Sequence, residues 1–499
     1  MTETTHVEVR HAAYHDSVTL MQVSRDVAAV EGVAAAQVAM GTELNLDLMR
    51  GMGFETPTDA GPNDLVVAVR ADDADAVAEA LGRLDAALVA ATRGGSGAGL
   101  GGDGPAPRTL FSAVRRSAEP PNLALVSVPG PHAFTEAHSA LQAGLSVLVF
   151  SDNVSVEDEV RLKDEATARG LLVMGPDCGT AVVGGAGLGF ANSVRPGPVG
   201  IVAASGTGAQ QLMCLLDGAG VGVSHCLGVG GRDLSAAVGG RSTRAALALL
   251  DEDPTTELIV LVSKPPDATV AAQITAYAEG LATPVHLALL GQGQSDLTTV
   301  TARAVEAVGG TWSEPASWPA PEDRAGDYGT LRGLFAGGTL CDEAMVLAAA
   351  ALGPVRSNIP LQPDWALGPD LTSDGHVMVD FGDDALTQGR AHPMIDQRTR
   401  IDRLTDEARS PGVLLLDVVL GHGSHPDPAS ELAPAVSAAL TTAAEQGHDL
   451  AVVVSLCAAA DDPQGLERQA STLRDAGAAV FLSNAAAARH AVELVGGRR

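Results

Sequence analysis

The chain has 499 residues, room for several domains with full cores, and its 46% hydrophobic against 18% charged residues exclude a disordered polymer. Asp and Glu number 61 against 31 Lys and Arg, and the net charge of −30 repels phosphate backbones and anionic lipids, so no nucleic-acid or membrane partner is expected. The five cysteines (Cys178, Cys214, Cys226, Cys341 and Cys457) lack the paired spacing of a disulfide framework or zinc site; without an apolar leader or membrane-length run, they fit a cytoplasmic protein with no metal.

Residues 1–91 alternate apolar runs with amphipathic stretches: HVEVR, a helix over 16–30, AAAQVAM, a short helix near Met49, DLVVAVR, and a helix from Asp73 to Ala91. This pattern predicts a small N-terminal α/β module. Residues 92–107 (TRGGSGAGLGGDGPAP) read as a flexible linker. Their glycines make no phosphate cradle, because no strand feeds them and no helix follows at once. Over 108–197 the near-continuous apolar runs LALVSVPG, LSVLVFSD and LLVMGPD predict parallel strands buried on both faces, a Rossmann-like domain. Over 198–313, VGIVAAS, VSHCLGVG, LIVLVSK and PVHLALLG each precede a helical stretch, the pattern of a doubly wound, flavodoxin-like parallel sheet. Residues 314–330 are Pro-rich, a second linker. The last segment, 331–499, repeats the architecture with HVMVDFG, GVLLLDVVLG, LAVVVSLC and AVFLSN, a second flavodoxin-like domain.

Ligands of open parallel sheets lie beyond the carboxyl ends of the strands, so the residues just after each apolar run carry the information. Ser205, Gly206, Thr207 and Gly208 either cradle an anion on a helix N-terminus or form a tight turn whose hydroxyl caps the helix. Gly230 and Gly231 allow close approach, and Arg232 with Asp233 forms an anion clamp or a surface pair. Lys264, held before Pro265 and Pro266, suits a phosphoryl or carboxylate oxygen, or is simply a solvated lysine at a turn. FGDDALTQGRAHPMID gathers Asp383, Asp384, Arg390, His392 and Asp396, and VVLGHGSHPDPA gathers His422, His425 and Asp427. Carboxylates with imidazoles suit proton transfer or a metal, but the glycines and prolines around His422 and His425 forbid the helix that would align them.

The segments DSVTLM, FSDNVSVEDEVRLK, GLLVMGPDCGT, GFANSV, GIVAASGTG, GVGGRDLS, VSKPP, GGTLCDEAM, GDDALTQGRAHPMID and LLDVVLG resemble the FdrA family of the succinyl-CoA synthetase superfamily along nearly the whole chain. Residues 122–309 resemble the ligase α chain and 331–499 the carboxyl-terminal domain of its β chain. The resemblance places Asp177 and Cys178 of GPDC beside the ligand. It also implies a phosphorylated histidine in a GHAGA-type loop with an orienting glutamate, yet here that loop reads LLGQGQSDLTT and Lys264 stands in the glutamate's place. The ATP-grasp domain and the glycine-rich CoA loop are missing as well. What remains implied is an enzyme that uses a ready-made acyl phosphate: a carbamoyltransferase subunit handling carbamoyl phosphate with oxamate or oxalurate in allantoin-derived purine catabolism. Co-encoded partner subunits and an oligomer are implied too. Ser205, Thr207 and Arg232 would hold phosphate, Lys264 would neutralise developing charge, Arg390 would join the substrate-binding set, and Asp383, His392 or His422 would move protons. Carbamoyl phosphate or phosphate is the expected substrate, with CoA left open. The alternatives are an ADP-forming acid–CoA ligase and a non-catalytic ligand-binding scaffold.

Overall fold

The computed structural model describes residues 4–11, 13, 15, 17–57, 60–61, 63–94, 107, 109–321, 326, 328–387 and 390–496. They fall into two compact units, Met1–Pro121 with Thr387–Ala391, and Asn122–Leu386 with His392–Arg499.

The first unit holds β1 (Thr4–Arg10), α1 (Ser17–Ala28), β2 (Val33–Met40), α2 (Glu43–Gly51), β3 (Leu65–Ala71), α3 (Ala74–Gly94) and α4 (Leu110–Arg116). Its antiparallel sheet runs β1-β3-β2, and the period of two along β3 sorts its side chains to opposite faces. Leu65, Val67 and Val69 pack with Leu20, Val23 and Val27 of α1 and Leu84 of α3, whereas Val66 and Ala68 pack with Met49 and Phe54. The helix expected to stop at Ala91 continues to Gly94, so it consumes the start of the 92–107 linker: alanine-rich helical periodicity outlasts Thr92 and Arg93 and ends at glycine. Residues 95–106 of that linker lie outside the described residues.

The second unit opens with β4 (Leu123–Val126), α5 (Gly130–Gln142), β5 (Ser146–Val149), α6 (Val156–Arg169) and β6 (Val173–Met174), a parallel sheet of order β4-β5-β6. Then come β7 (Thr180–Val183), β8 (Ala186–Gly189), β9 (Pro196–Ala204), α7 (Gly206–Gly218), β10 (Val223–Gly228), α8 (Arg241–Asp251), β11 (Leu258–Ser263), α9 (Ala268–Ala278), β12 (Val285–Leu289) and α10 (Leu297–Ala307). They build a sheet of order β12-β11-β9-β10-β7-β8. The boundary expected at 197/198 is therefore displaced. The β7–β8 hairpin pairs antiparallel with β10, and β9 begins at Pro196, so everything from Thr180 belongs to this second sheet.

The last sheet runs β13-β19-β18-β17-β14-β16-β15. Its elements are β13 (Ser317–Trp318), β14 (Leu331–Phe335), α11 (Gly338–Leu352), β15 (Val355–Ser357), β16 (His376–Asp380), α12 (Asp384–Thr387), α13 (Arg398–Glu407), β17 (Gly412–Val419), α14 (Pro428–Gln446), β18 (Leu450–Cys457), α15 (Leu466–Asp475), β19 (Ala479–Phe481) and α16 (Asn484–Val495). The 314–330 stretch is more than a linker, because β13 pairs antiparallel with β19 as an edge strand. Strand order reverses at β9/β11 in one sheet and at β14/β17 in the other, which opens a crevice beyond each pair. The two sheets share one core: Leu212, Met213 and Leu216 of α7 and Leu340 and Met345 of α11 pack between Ile201 of one sheet and Leu415 and Val453 of the other.

Candidate functional site

Sharing that core brings the start of α7 against the start of α11. Ser205 accepts from the Gly208 N–H at 3.0 Å and donates to Thr339 Oγ1 at 2.6 Å, so its hydroxyl caps α7 and latches it to α11. Of the two readings of this turn, the cap holds for Ser205, whose hydroxyl is spent. The groups of this turn that stay open are Gly206, which is exposed, and the half-buried Thr207. Gly208 is buried under Val262 and Thr339. The opposing α11 is preceded by Gly337, which gives it no side-chain cap, while Asp417 of β17 accepts from the Ala336 and Gly337 N–H groups at 2.7 and 2.8 Å and sets that turn. Thr207 packs directly on Gly337, where a Cβ would come within 2.7 Å of its hydroxyl. Two helix N-termini, each a partial positive charge, thus face a common space.

Lys264 enters that space from the end of β11. Among the described residues its ammonium makes no hydrogen bond and no ion pair, although it lies 2.9 Å from where a Gly338 Cβ would stand. Asp380, at the end of β16, reaches within 2.5 Å of the same point. Burial would lower the Lys264 pKa, yet the carboxylates of Asp380, Asp342, Asp177 and Asp383 outweigh it and hold the amine above its usual value. The carboxyls respond in turn. Burial pushes Asp380 up to about 7 against the pull of Lys264 and the Gly382 N–H, and pushes Asp342 up to about 6 against Lys264. Asp177, in a left-handed conformation (φ 55°), is reached by solvent at the rim but walled closely by loops. That poor solvation, with Asp384 and Asp152 nearby, pushes it up to about 7 against Lys264 and Arg232. Gly230 (φ +89°) lets the β10 loop lie on this wall, 2.5 Å from the Pro176 carbonyl at its Cβ position, and Gly231 faces Asp177.

The expected clamp of Arg232 with Asp233 does not form. Asp233 is fully buried, accepting from Lys163 Nζ (2.7 Å), the Ser242 and Thr243 N–H groups and the Thr243 hydroxyl, because a carboxylate this deep needs every lone pair engaged. Arg232 turns away to Glu159 of α6 (2.9 Å) and the Val154 carbonyl (2.8 Å), and keeps its side chain 43% exposed, electrostatically close to Asp177. Cys178 is a packing residue, not a pocket group. It is buried against Gly228 and Thr180, and burial pushes its thiol up to about 12.

Of the proton-transfer candidates, Asp383 and His392 lie on the loop after Asp380, and His422 lies apart from them. Burial, helped by Arg400, lowers His392 to about 4, and its Nδ1 accepts from the Met394 N–H, so the ring is neutral and weakly basic. His422 is exposed and pairs with Ser193 Oγ at 3.2 Å beside the Ala191 bridge. Asp383 accepts from the Ala385 N–H at 3.0 Å. Arg390 is exposed in the Thr387–Ala391 segment of the first unit. His425 is committed to the Asp427 N–H and Glu431, and among the described residues no three His, Cys, Asp or Glu side chains converge as a metal site requires. The residues that do gather, Gly338, Thr339, Asp342, Asp380 and Asp417, went unread in the sequence. Their signal was an internal echo: LFAGGTLC enters α11 as IVAASGTG enters α7, a strand, small residues and a helix start.

A family described as AllF, heavy metal-associated domain, matches residues 1–102, and one described as CoA-ligase matches 334–494. Residues 1–102 contain no cysteine, and their described side chains do not fit a heavy-metal ion. A protein of Escherichia coli K12 named "Uncharacterized protein YahF" is 37% identical over 94% of this chain and 95% of its own length. Subunit alpha 2 of the ADP-forming succinate–CoA ligase of Archaeoglobus fulgidus is 29% identical over 38% of this chain and 71% of that subunit. The ATP citrate lyase of Methanothrix soehngenii, solved with citrate and coenzyme A, overlaps 40% of this chain and 37% of its own at 16% identity and a TM-score of 0.32. At the end of β4 the Asp152 and Asn153 carbonyls press on Gly130 and leave no room for a Cβ there.

Proposed function

This chain belongs to the FdrA-like branch of the CoA-ligase superfamily, and from that premise we propose that it is a subunit of an acyl-phosphate-using carbamoyltransferase, passing a carbamoyl group between phosphate and an oxamate/oxalurate pair. The observation that carries this reading is Lys264: an ammonium without a partner among the described residues, kept charged by surrounding carboxylates, between two helix N-termini. Phosphate would lie on the Gly206 and Thr207 amides and the uncapped start of α11, with Lys264 on the oxygen that bridges to the acyl carbon. A cation there stabilises the phosphate leaving group and needs no phosphorylated side chain. Arg232 guards the rim. Protonation of Asp177, Asp342 and Asp380 near neutral pH removes negative charge from a space meant for an anion, so phosphate should bind more tightly at about pH 6 than at about pH 8. The substrate acid would be recruited with co-encoded partner subunits.

An acid–CoA ligase is the second reading, favoured by the CoA-ligase match over 334–494. The loop after β12, Leu290 to Asp296, contains no histidine to carry phosphate. The two are separated by a paired assay on the purified chain, alone and with its co-encoded partners. One tube holds carbamoyl phosphate and oxamate, the other CoA, ATP and succinate. Oxamate-dependent phosphate release is expected; thioester formation without it would overturn the proposal.

A further inference from the structure

Carbamoyl transfer moves a proton at nitrogen as well as an acyl group; His422 is held at Ser193, His392 lies on the Oδ1 side of Asp380, and Asp383 is the weakest of the four carboxylate influences on Lys264. Resting on the reading above, we infer that Asp380 is the catalytic group that takes up and returns the proton of the reacting amide nitrogen. Its Oδ1 accepts from the Gly382 N–H at 2.9 Å, which leaves Oδ2 as the oxygen aimed at the space above Gly338. Lys264 Nζ reaches the same point, yet the two form no ion pair. An ammonium and a carboxyl oxygen that converge without touching leave room for a reacting atom between them.

The strand end that carries Asp380 is fixed by a reciprocal pair: Asn358 donates to the Asp380 carbonyl and accepts from its N–H, both at 2.9 Å. The groups facing Asp380 come from five directions: Lys264 beyond β11, Asp342 and Cys341 on α11, Asp417 on β17, Arg400 on α13, and Asp383 and His392 from its own loop. Burial dominates their sum and holds the carboxyl up to about 7, so both protonation states are populated where the enzyme works.

In the direction of carbamoyl phosphate consumption, the oxamate nitrogen adds to the carbamoyl carbon, forming the C–N bond. The C–O bond to phosphate breaks, its electron pair leaving on an oxygen held by Lys264, and the nitrogen gives one proton to Asp380 Oδ2. That proton then passes to the departing phosphate, which leaves as hydrogen phosphate. Nothing is oxidised or reduced. Phosphorolysis of oxalurate reverses each step, with Asp380 as the acid.

The test uses the full chain with its co-encoded partners, comparing wild type, Asp380→Asn and Asp380→Glu by calorimetry with inorganic phosphate and by turnover of carbamoyl phosphate with oxamate. Asp380→Asn should bind phosphate within a few-fold of wild type while kcat falls on the order of 100-fold or more, and the loss of rate below about pH 7 expected of wild type should vanish. Asp380→Glu should recover part of the rate with that limb displaced, which also serves if the Asn variant does not fold. An Asn or Glu variant with wild-type kcat and an unchanged pH profile overturns the role of Asp380 and leaves the carbamoyltransferase reading standing. Wild type that binds phosphate but gives no oxamate-dependent release overturns both.

Discussion

Gly338→Ala separates the site from the scaffold. Gly338 is the first residue of α11 and carries no positive φ, so alanine fits the backbone and its helix propensity favours the folded state by up to ~1 kcal/mol. The added methyl arrives 2.5 Å from Asp380 Oδ2 and 2.9 Å from Lys264 Nζ, where ordinary contacts need about 3.4 Å or more. Both are side-chain ends. The lysine swings aside freely, while Asp380, tied to Gly382, leaves its rotamer at a cost of about 1 kcal/mol. The two terms nearly cancel, so the melting midpoint should move by only a few degrees. The ligand position fares differently, because the methyl fills the point on which Lys264 and Asp380 converge. Losing one charge-assisted hydrogen bond to phosphate costs roughly 1.5–3 kcal/mol, a weakening of about 10- to 150-fold. Calorimetric titration with phosphate and a thermal melt on the same sample read both terms. Wild-type affinity in the variant would refute the location of the site, and a collapse of the melt would show that Gly338 serves packing.

Replacing Lys264 with alanine should lower oxamate-dependent turnover on the order of 100- to 1,000-fold, and steady-state rates equal to wild type would remove its role in charge neutralisation. Buried Glu343 accepts from the Leu297 N–H and from Asn484, and burial raises it from 4.5 to about 7. A raised carboxyl stabilises the fold fully below about pH 4.5 and loses that contribution as pH climbs through about 7, at most roughly 3 kcal/mol. Glu343→Gln should therefore melt with less dependence on pH between about 4.5 and 7 than wild type, and parallel curves would contradict this. Asp233→Asn unbalances buried Lys163 and should cost about 3–5 kcal/mol in denaturant titration. Arg232→Ala, which releases a 43% exposed guanidinium, should cost under about 1 kcal/mol; equal losses would mean the two act as one network.

Local chemistry was legible where it is written in contiguous residues. The apolar runs VGIVAAS, LIVLVSK and GVLLLDVVLG could only be central parallel strands, since each is buried along its length in β9, β11 and β17. Chain ends of strands named Ser205, Lys264 and Asp177 because ligands of such sheets lie there. Partner choice was not legible. That Arg232 turns to Glu159, that Asp233 serves Lys163, and that β13 joins the sheet through β19 depend on residues up to 164 positions away, beyond the reach of any spacing rule.

By itself, then, the sequence determined that this is an α/β chain of the CoA-ligase superfamily with a lysine at the end of one of its buried strands. Hydrophobic periodicity and the order of small residues are local properties, and they survive without knowledge of packing. Only the tertiary structure decided which groups meet. The shared core of α7 and α11 sets Ser205 on Thr339 and Thr207 on Gly337, and aims Lys264 and Asp380 at one point, because side chains far apart in sequence are brought to a common place only when two sheets bury their faces against each other.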